Sequence, residues 1–228
     1  MSLRVAFDLD GTLADMDSAV VRIARELFDP TVAATDSSNG NADQAGGTVV
    51  SLEALDLSAH QQATLWSYIE QRDNFWTSLA EIESGIVTRV AEAARARRWE
   101  VIFITTRPPT AGDTTQIQTQ RWLEAHGFAR PSVFVVTGSR GKVAEALTLD
   151  AVVDDHLEKA VDVAVESQAK AILVWNGDPG AVPASAARLG VKVVASIWDA
   201  LAMLECLDDL RSEPGVLQSI KRMLTLRA

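Results

Sequence analysis

Short apolar runs rich in β-branched residues recur along the chain, separated by amphipathic segments, and this alternation limits the possible folds more than any other feature. Strands that alternate with helices form a parallel sheet covered by helices. We therefore predict an α/β fold around one large core, which 228 residues are enough to build. The predicted strands are residues 3–8, 101–105, 132–137, 151–154, 171–175 and 191–195. The predicted helices between the later strands are residues 114–126, 141–149, 157–168 and 181–189.

The alternation is interrupted once, after the first strand. Residues 14–82 contain no convincing strand, but two helical patterns flank a polar segment, 29–51, that is rich in Asp, Ser, Asn and Gly. We predict a core domain made of residues 1–13 and 83–228, with residues 14–82 inserted into it as a small helical domain. The two predicted helices of the insertion are residues 17–28 and 58–73.

The formal net charge of −10 argues against a nucleic-acid polymer as a partner. Proteins bind such polymers largely through clustered Lys and Arg side chains that neutralise phosphates. Residues 14–82 hold eleven acidic residues but three arginines and no lysine. A basic binding surface is therefore not expected in the insertion.

Two other classes of protein are disfavoured by the sequence. No apolar run is long enough to cross a bilayer, and no basic stretch followed by an apolar one opens the chain, so we expect a cytoplasmic protein without a membrane partner. The single cysteine, Cys206, cannot form an intramolecular disulfide, and no Cys/His cluster is present to bind zinc. We expect Cys206 to pack in the core.

Two aspartates follow each other at the end of the first predicted strand. Because residues two apart in a strand point the same way, Asp8 and Asp10 should project together from its carboxyl end. Open parallel sheets bind ligands at that end. Gly11 allows a sharp turn that brings backbone amides near a bound anion. Asp-Gly is also a common turn, so this pair alone does not establish a site.

The second and fourth predicted strands are also followed by polar or acidic residues. Lys142 lies near the start of the helix before the fourth strand. Four carboxylates gathered at one edge of the sheet would repel each other by several kcal/mol at separations of ~4 Å. A divalent cation relieves this repulsion, and an all-oxygen ligand set favours Mg²⁺. The polar residues in question are Thr105, Thr106 and Arg107 after the second strand and Asp154 and Asp155 after the fourth.

The ordered set of motifs resembles the haloacid dehalogenase (HAD) superfamily of aspartate-nucleophile phosphotransferases. The set comprises an apolar strand ending in Asp-x-Asp-Gly-Thr, a strand ending in Thr, a lysine, and a strand ending in Asp-Asp. The resemblance covers residues 3–200 and implies a Rossmann-like core. It implies that Asp8 is the nucleophile that accepts the phosphoryl group and that Asp10 is the general acid and base. Lys142 would hold the phosphoryl group against the nucleophile.

The same resemblance assigns the remaining ligands. Thr105 would bind phosphate, with Thr106 as the alternative because the doublet allows either alignment. Asp155 would bind the metal or orient its water. The implied Mg²⁺ ligands are the carboxylates of Asp8, Asp154 and Asp155 and the backbone carbonyl of Asp10.

The insertion resembles a helical C1-type cap, and two short segments are similar to the small 5'-nucleotidase and deoxyribonucleotidase branch. These segments are Asn-Phe-Trp-Thr-Ser-Leu at 74–79 and Ile-Thr-Thr-Arg-Pro at 104–108. The resemblance makes Phe75, Trp76 and Arg107 candidate specificity residues. The two aromatic side chains could stack on a base, or they could pack the insertion against the core.

These implications lead to a Mg²⁺-dependent phosphomonoester hydrolase that works through an aspartyl phosphate. Its expected partner is a small phosphorylated metabolite, and nucleoside monophosphates are the first candidates. A sugar-phosphate phosphatase, or one for another small metabolite, is the alternative. A non-catalytic binding protein on the same fold is less favoured, because every expected catalytic residue type is present.

Overall fold

The computed structural model describes residues 2–28 and 56–212. In this part of the chain six parallel strands form one sheet, in the order β3-β2-β1-β4-β5-β6. The predicted α/β fold is confirmed, and each predicted strand lies within two residues of the observed one. The strands are β1 (Arg4–Asp8), β2 (Glu100–Thr105), β3 (Ser132–Val135), β4 (Ala151–Asp154), β5 (Lys170–Val174) and β6 (Lys192–Val194).

Helices cover both faces of the sheet, so successive side chains of the central strands enter two separate apolar layers. Val5 and Phe7 of β1 pack in one buried cluster, and Ala6 between them packs in the other. The helices are α1 (Met16–Phe28), α2 (Ala59–Glu70), α3 (Ile86–Arg97), α4 (Thr115–Ala125), α5 (Arg140–Ala146), α6 (Leu157–Glu166), α7 (Ala184–Arg188) and α8 (Ile197–Ser212).

The inserted segment leaves and rejoins the core at neighbouring points. The backbone N–H of Asp15 donates to the carbonyl of Ala80 at 2.9 Å, and that of Ile82 donates to the carbonyl of Leu13 at 2.8 Å. These bonds hold together the two connections between the core and the inserted segment, close to the predicted limits of residues 14–82. The described part of the segment holds α1, α2 and a 3₁₀ turn at Phe75–Thr77, whereas the whole polar stretch 29–51 lies outside the described residues.

Helix α8 is the largest departure from the predicted elements. Its buried residues follow the helical spacing i, i+3, i+4 and i+7, but Trp198 and Leu210 are exposed on other faces and obscure that pattern in the sequence. Cys206 is exposed, so the expectation that it packs in the core was wrong. It lies about two and a half turns after the buried Ile197 and therefore on the opposite face of the helix. The sequence also predicts a terminal amphipathic helix at residues 213–226, and this segment lies outside the described residues.

No helix within residues 2–28 and 56–212 is both long enough and apolar enough to cross a membrane.

Candidate functional site

The strand order places β1 and β4 side by side, at the point where the connections of the sheet change direction. Open α/β sheets bind ligands beyond the carboxyl ends of the strands at such a point. Asp8 is the last residue of β1 and Asp154 is the last residue of β4. Both are buried, with exposed fractions of 3% and 1%. The sheet therefore brings these two predicted site residues together.

Two cations contact both members of this buried pair of carboxylates. The Nη2 atom of Arg140 donates to Oδ1 of Asp8, while its Nε donates to Oδ2 of Asp154 at 3.4 Å. The Nζ atom of Lys159 lies 3.4 Å from Oδ1 of Asp8 and 3.8 Å from Oδ1 of Asp154. Because Arg140 and Lys159 bridge both acids, the protein itself relieves part of the repulsion that the sequence predicted at this edge.

Close packing of two helices brings these cations to the site. Arg140 is the first residue of α5, and Lys159 lies in the first turn of α6. A Cβ atom at Gly141 would overlap the backbone carbonyl of Asp162 in α6. The glycine therefore lets the start of α5 approach α6 closely enough for both side chains to reach Asp8.

Lys142 does not take part in this cluster, contrary to the sequence-based expectation. It is exposed, and its described hydrogen bond is a backbone one, from its N–H to Oγ of Ser139. Residues two apart on a helix point about 200° apart, so the inward position of Arg140 directs Lys142 outward. The helix begins at Arg140, one residue before the predicted start. A correct start would have favoured Arg140 over Lys142 as the cation beside Asp8.

Asp10 is paired with a different arginine. The Nε atom of Arg107 lies 2.9 Å from each carboxylate oxygen of Asp10, and its Nη2 lies 2.7 Å from Oδ1. The side chain of Arg107 is fully buried, whereas that of Asp10 keeps 14% of its surface exposed. Arg107 was predicted as a specificity residue, but in the structure its side chain is paired with Asp10 and has no exposed surface.

The two threonines after β2 lie in different environments. Thr105 is buried at the end of the strand, and its Oγ1 accepts a hydrogen bond from the backbone N–H of Arg107 at 3.1 Å. Thr106 is exposed. Asp8 pairs with Ile104 in the sheet, so Thr105 is one residue beyond the position beside the predicted nucleophile.

The loops after β1 and β4 contact each other. Oγ1 of Thr12 donates to Oδ1 of Asp155 at 3.2 Å. Gly11 has a φ of +82°, and a Cβ atom there would overlap the Asp155 carboxylate, so glycine suits this position on both counts. Asp154, Asp155 and His156 offer ligand atoms that lie within 4.8 Å of one another. His156 was not predicted as part of the site.

Two groups at this edge have strongly shifted pKa values. Hydrogen bonds to the carboxylates of Asp154 and Asp155 raise the pKa of His156 to about 10. Burial raises the pKa of Asp8 to about 7, and the neighbouring Asp154 carboxylate adds to this effect. Lys159 and Arg140 act in the opposite direction. The environment of the metal-free site thus disfavours the ionised form of Asp8.

The donor set fits a hard divalent cation. The carboxylates of Asp8, Asp154 and Asp155 offer oxygen ligands together at the ends of β1 and β4. Carboxylate oxygens are the ligands that Mg²⁺ prefers. The residues that the structure gathers at the ends of β1 and β4 therefore fit the group that the sequence predicted.

The aromatic residues near the insertion are buried. Trp76 is 0% exposed and Phe75 is 3% exposed, and their rings meet edge to face with centroids 4.9 Å apart. The indole Nε1 of Trp76 donates to the carbonyl of Pro108 at 3.0 Å, and its backbone N–H donates to Oε1 of Gln118 at 3.1 Å. Of the two alternatives for these rings, packing of the insertion against the core agrees with these contacts, and stacking on a base does not.

Solved structures with similar folds support the architecture. A β-phosphoglucomutase candidate from Thermotoga maritima is 18% identical, with a TM-score of 0.54 and coverage of 89% of this chain and 98% of that one. A HAD family hydrolase from Deinococcus radiodurans R1, solved with bound phosphate and sodium, is 18% identical with a TM-score of 0.50 and coverage of 89% and 95%. A haloacid dehalogenase-like family hydrolase from Xanthomonas campestris is 16% identical with a TM-score of 0.50 and coverage of 93% and 98%.

Comparison of the sequence itself with known proteins identifies the family. No curated protein matches the chain significantly. The family model for haloacid dehalogenase-like hydrolases matches residues 4–198, which span all six strands and the acidic edge described above. The chain therefore belongs to the haloacid dehalogenase-like hydrolase family.

Proposed function

We propose that the protein is a Mg²⁺-dependent phosphomonoester hydrolase that acts on a small phosphorylated metabolite through an aspartyl phosphate on Asp8. The observation that carries this proposal is the position of Arg140. Its side chain is 1% exposed and bridges Asp8 and Asp154. In the described part of the chain its Nη1 atom is buried without a hydrogen-bond partner. A phosphoryl oxygen next to Asp8 would satisfy this donor.

In the first half of the reaction, an oxygen of the Asp8 carboxylate attacks phosphorus and the bond from phosphorus to the ester oxygen breaks. Arg140 and Lys159 lie beside Asp8, where they can hold the phosphoryl oxygens and offset their charge. Asp10 gives a proton to the departing ester oxygen. The products of this half are an alcohol and phosphorylated Asp8.

In the second half, a water molecule attacks the phosphorus of phosphorylated Asp8. Asp10 takes a proton from that water, and the bond between phosphorus and the Asp8 oxygen breaks. The Asp8 carboxylate is thus regenerated and inorganic phosphate leaves. The two halves together consume one water molecule per phosphomonoester, and they leave Asp10 protonated for the next turnover.

We propose that Asp8, Asp154, Asp155 and the backbone carbonyl of Asp10 hold the Mg²⁺ ion. When bound, this ion would neutralise the phosphoryl oxygens and favour the ionised form of the nucleophile. The carboxylate of Asp10 already pairs with Arg107, which leaves the backbone carbonyl as the Asp10 ligand in this proposal. For phosphate binding we propose Thr105 ahead of Thr106, because Thr105 directly follows the residue paired with Asp8 in the sheet and the backbone N–H of Arg107 holds its hydroxyl oxygen.

The choice of substrate is proposed only at the level of phosphomonoesters. Burial of Phe75 and Trp76 removes the aromatic contact on which a preference for nucleoside monophosphates was based. Neither sugar phosphates nor nucleoside monophosphates are therefore favoured in advance, and both classes are tested. We propose that the helices of residues 14–82 form a C1-type cap over the ends of β1 and β4 and provide the discrimination between substrates.

Hydrolysis of p-nitrophenyl phosphate by the purified protein tests the proposal. We expect turnover that requires Mg²⁺, is abolished by EDTA, and returns when Mg²⁺ is added back. The Asp8→Asn variant should be folded and inactive, because its side chain has nearly the same shape but cannot accept the phosphoryl group. A panel of phosphorylated metabolites then ranks the substrates. A wild-type protein without activity on any of them would reject the proposal and favour a binding protein on this fold.

A further inference from the structure

We propose that Arg107 is a positioning residue that holds the Asp10 carboxylate where it transfers a proton to the leaving oxygen. This role rests on the proposed function. Among the contacts of the described residues, Arg107 reaches the carboxylate of Asp10 but not that of Asp8, Asp154 or Asp155. It acts on the reaction through Asp10.

The geometry of the pair fixes the orientation of the carboxylate. Nε of Arg107 lies 2.9 Å from both oxygens of Asp10, and Nη2 lies 2.7 Å from Oδ1. The guanidinium group is planar, so these contacts define the plane of the carboxylate as well as its distance. Asp10 lies after the end of β1 and directly before the turn at Gly11. Without the arginine, its side chain could adopt other rotamers.

A hydrogen bond and two aromatic rings hold the side chain of Arg107 in place. Its Nη1 donates to Oγ1 of Thr119 at 3.1 Å, and its guanidinium carbon lies 5.0 Å from the ring centre of Trp76 and 5.9 Å from that of Trp122. Only Asp10 keeps an exposed part, 14% of its side chain, while Arg107 keeps none. The buried arginine therefore holds a carboxylate that is itself partly exposed to solvent.

The dependence of the rate on the leaving group separates this role from a merely structural ion pair. p-Nitrophenolate leaves readily without a proton, whereas the alkoxide of β-glycerophosphate needs one. The value of kcat/KM covers the steps up to departure of the alcohol, so it reports this proton transfer. Well-placed general acids contribute roughly 10²- to 10⁴-fold to such steps. In the Arg107→Lys variant, we expect kcat/KM to fall about 100-fold for β-glycerophosphate and less than about tenfold for p-nitrophenyl phosphate.

Three further variants sharpen the experiment. In an Asp10→Asn background, Arg107→Lys should cause little further loss with β-glycerophosphate, because the residue through which it acts is already removed. Thr119→Val loosens Arg107 without removing it, and it should give a smaller loss with the same preference for β-glycerophosphate. Arg97→Lys is the matched control, since Arg97 also pairs with an aspartate, Asp209, but lies at the end of α3 just before β2 and thus at the opposite end of the strands from the site. It should leave both rates unchanged.

Three results would overturn the inference. Equal fractional losses with both substrates in the Arg107→Lys and Thr119→Val proteins would mean that the pair only supports the fold, while the proposed function would stand. An undiminished additional loss from Arg107→Lys in the Asp10→Asn background would mean that Arg107 acts independently of Asp10. A wild-type protein that hydrolyses neither substrate would reject the proposed function, and the positioning role would be rejected with it.

Discussion

Arg140 and Lys142 form a natural pair for comparing two cations on one helix. They are two residues apart on α5, yet Arg140 contacts Asp8 and Lys142 is exposed. Replacing Arg140 by Met should lower kcat/KM for p-nitrophenyl phosphate on the order of 100-fold, because a charge beside the phosphoryl group is lost. The matched Lys142→Met change should keep the rate within about twofold, since an exposed side chain contributes little. Steady-state kinetics of both variants test the assignment, and a larger loss in the Lys142 variant would reverse it.

Asp8 should make the stability of the metal-free protein depend on pH. Its pKa rises from the usual value of 3.8 to about 7 on folding, so the folded protein binds an extra proton between those two values. Stability from this group is therefore fully present below pH 3.8 and is lost as the pH rises through 7. We expect the free energy of unfolding of Asp8→Asn, relative to wild type, to increase across this window by a few kcal/mol.

Chemical denaturation in EDTA at several pH values measures this difference. His156 contributes in a higher window, because its raised pKa of about 10 gives stability that is lost between its ordinary value of 6.5 and 10. That contribution is present in both proteins and cancels in the comparison. A difference between Asp8→Asn and wild type that stays constant from pH 4 to 8 would show that Asp8 is ionised throughout, against the shift given above.

At the level of residues, the sequence located the acids but not their partners. Four aspartates are recognisable because each lies at the end of a strand or within two residues after it, and strand ends can be read from the local hydrophobic pattern. These are Asp8, Asp10, Asp154 and Asp155. Arg140, Lys159 and Arg107 reach these acids only through the packing of α5, α6 and the loop after β2. Such contacts join residues up to 151 positions apart, and no local pattern encodes them.

Among the elements, the contact between α5 and α6 does most to shape the site. Gly141 has no room for a Cβ atom, because the carbonyl of Asp162 in α6 occupies that space. Gly141→Ala should therefore push the helices apart, lower the stability by about 1–3 kcal/mol, and reduce kcat by moving Arg140 away from Asp8. Thermal unfolding and kinetics measure the two effects.

Gly138 is the control for that substitution. It lies three residues before Gly141, and a Cβ atom there would meet nothing within 4 Å. Gly138→Ala should keep both stability and activity close to wild type. If the two alanine variants behave alike, the helix contact does not govern the position of Arg140.

The strands were predicted more reliably than the helices, for a physical reason. A strand buried on both faces is a short, continuous apolar run, as β1, β2, β4 and β5 are. The edge strands β3 and β6 are largely exposed, but they too are rich in β-branched and aromatic residues and stand out between polar segments. Helix ends depend on capping and on packing partners, which explains the shifted start of α5 at Ser139 and Arg140. Helix α8 was missed because its exposed apolar residues, Trp198 and Leu210, mask the periodic buried face.

For the molecule as a whole, the parallel sheet and the point of insertion determine where chemistry can occur. The chain enters the insertion directly after the β1 loop and returns through Phe75–Thr77, which packs on the loop after β2. The contacts of Trp76 thus connect the insertion to Pro108 and to Arg107, and through Arg107 to Asp10. The acidic edge of the sheet and the inserted helices are coupled through this side chain.

Replacing Trp76 by Ala tests this coupling and the origin of substrate preference together. The fully buried indole should cost about 3–5 kcal/mol of stability when removed, which thermal unfolding measures. Because the ring is fully buried and packs against the Arg107 guanidinium, kcat/KM should fall by similar factors for a nucleoside monophosphate and for an alkyl phosphate such as β-glycerophosphate. Both substrates need a proton on the leaving oxygen, so the comparison isolates contact with the base. A selective loss for the nucleotide would show that Trp76 contacts the base after all, and it would restore nucleoside monophosphates as the preferred substrates.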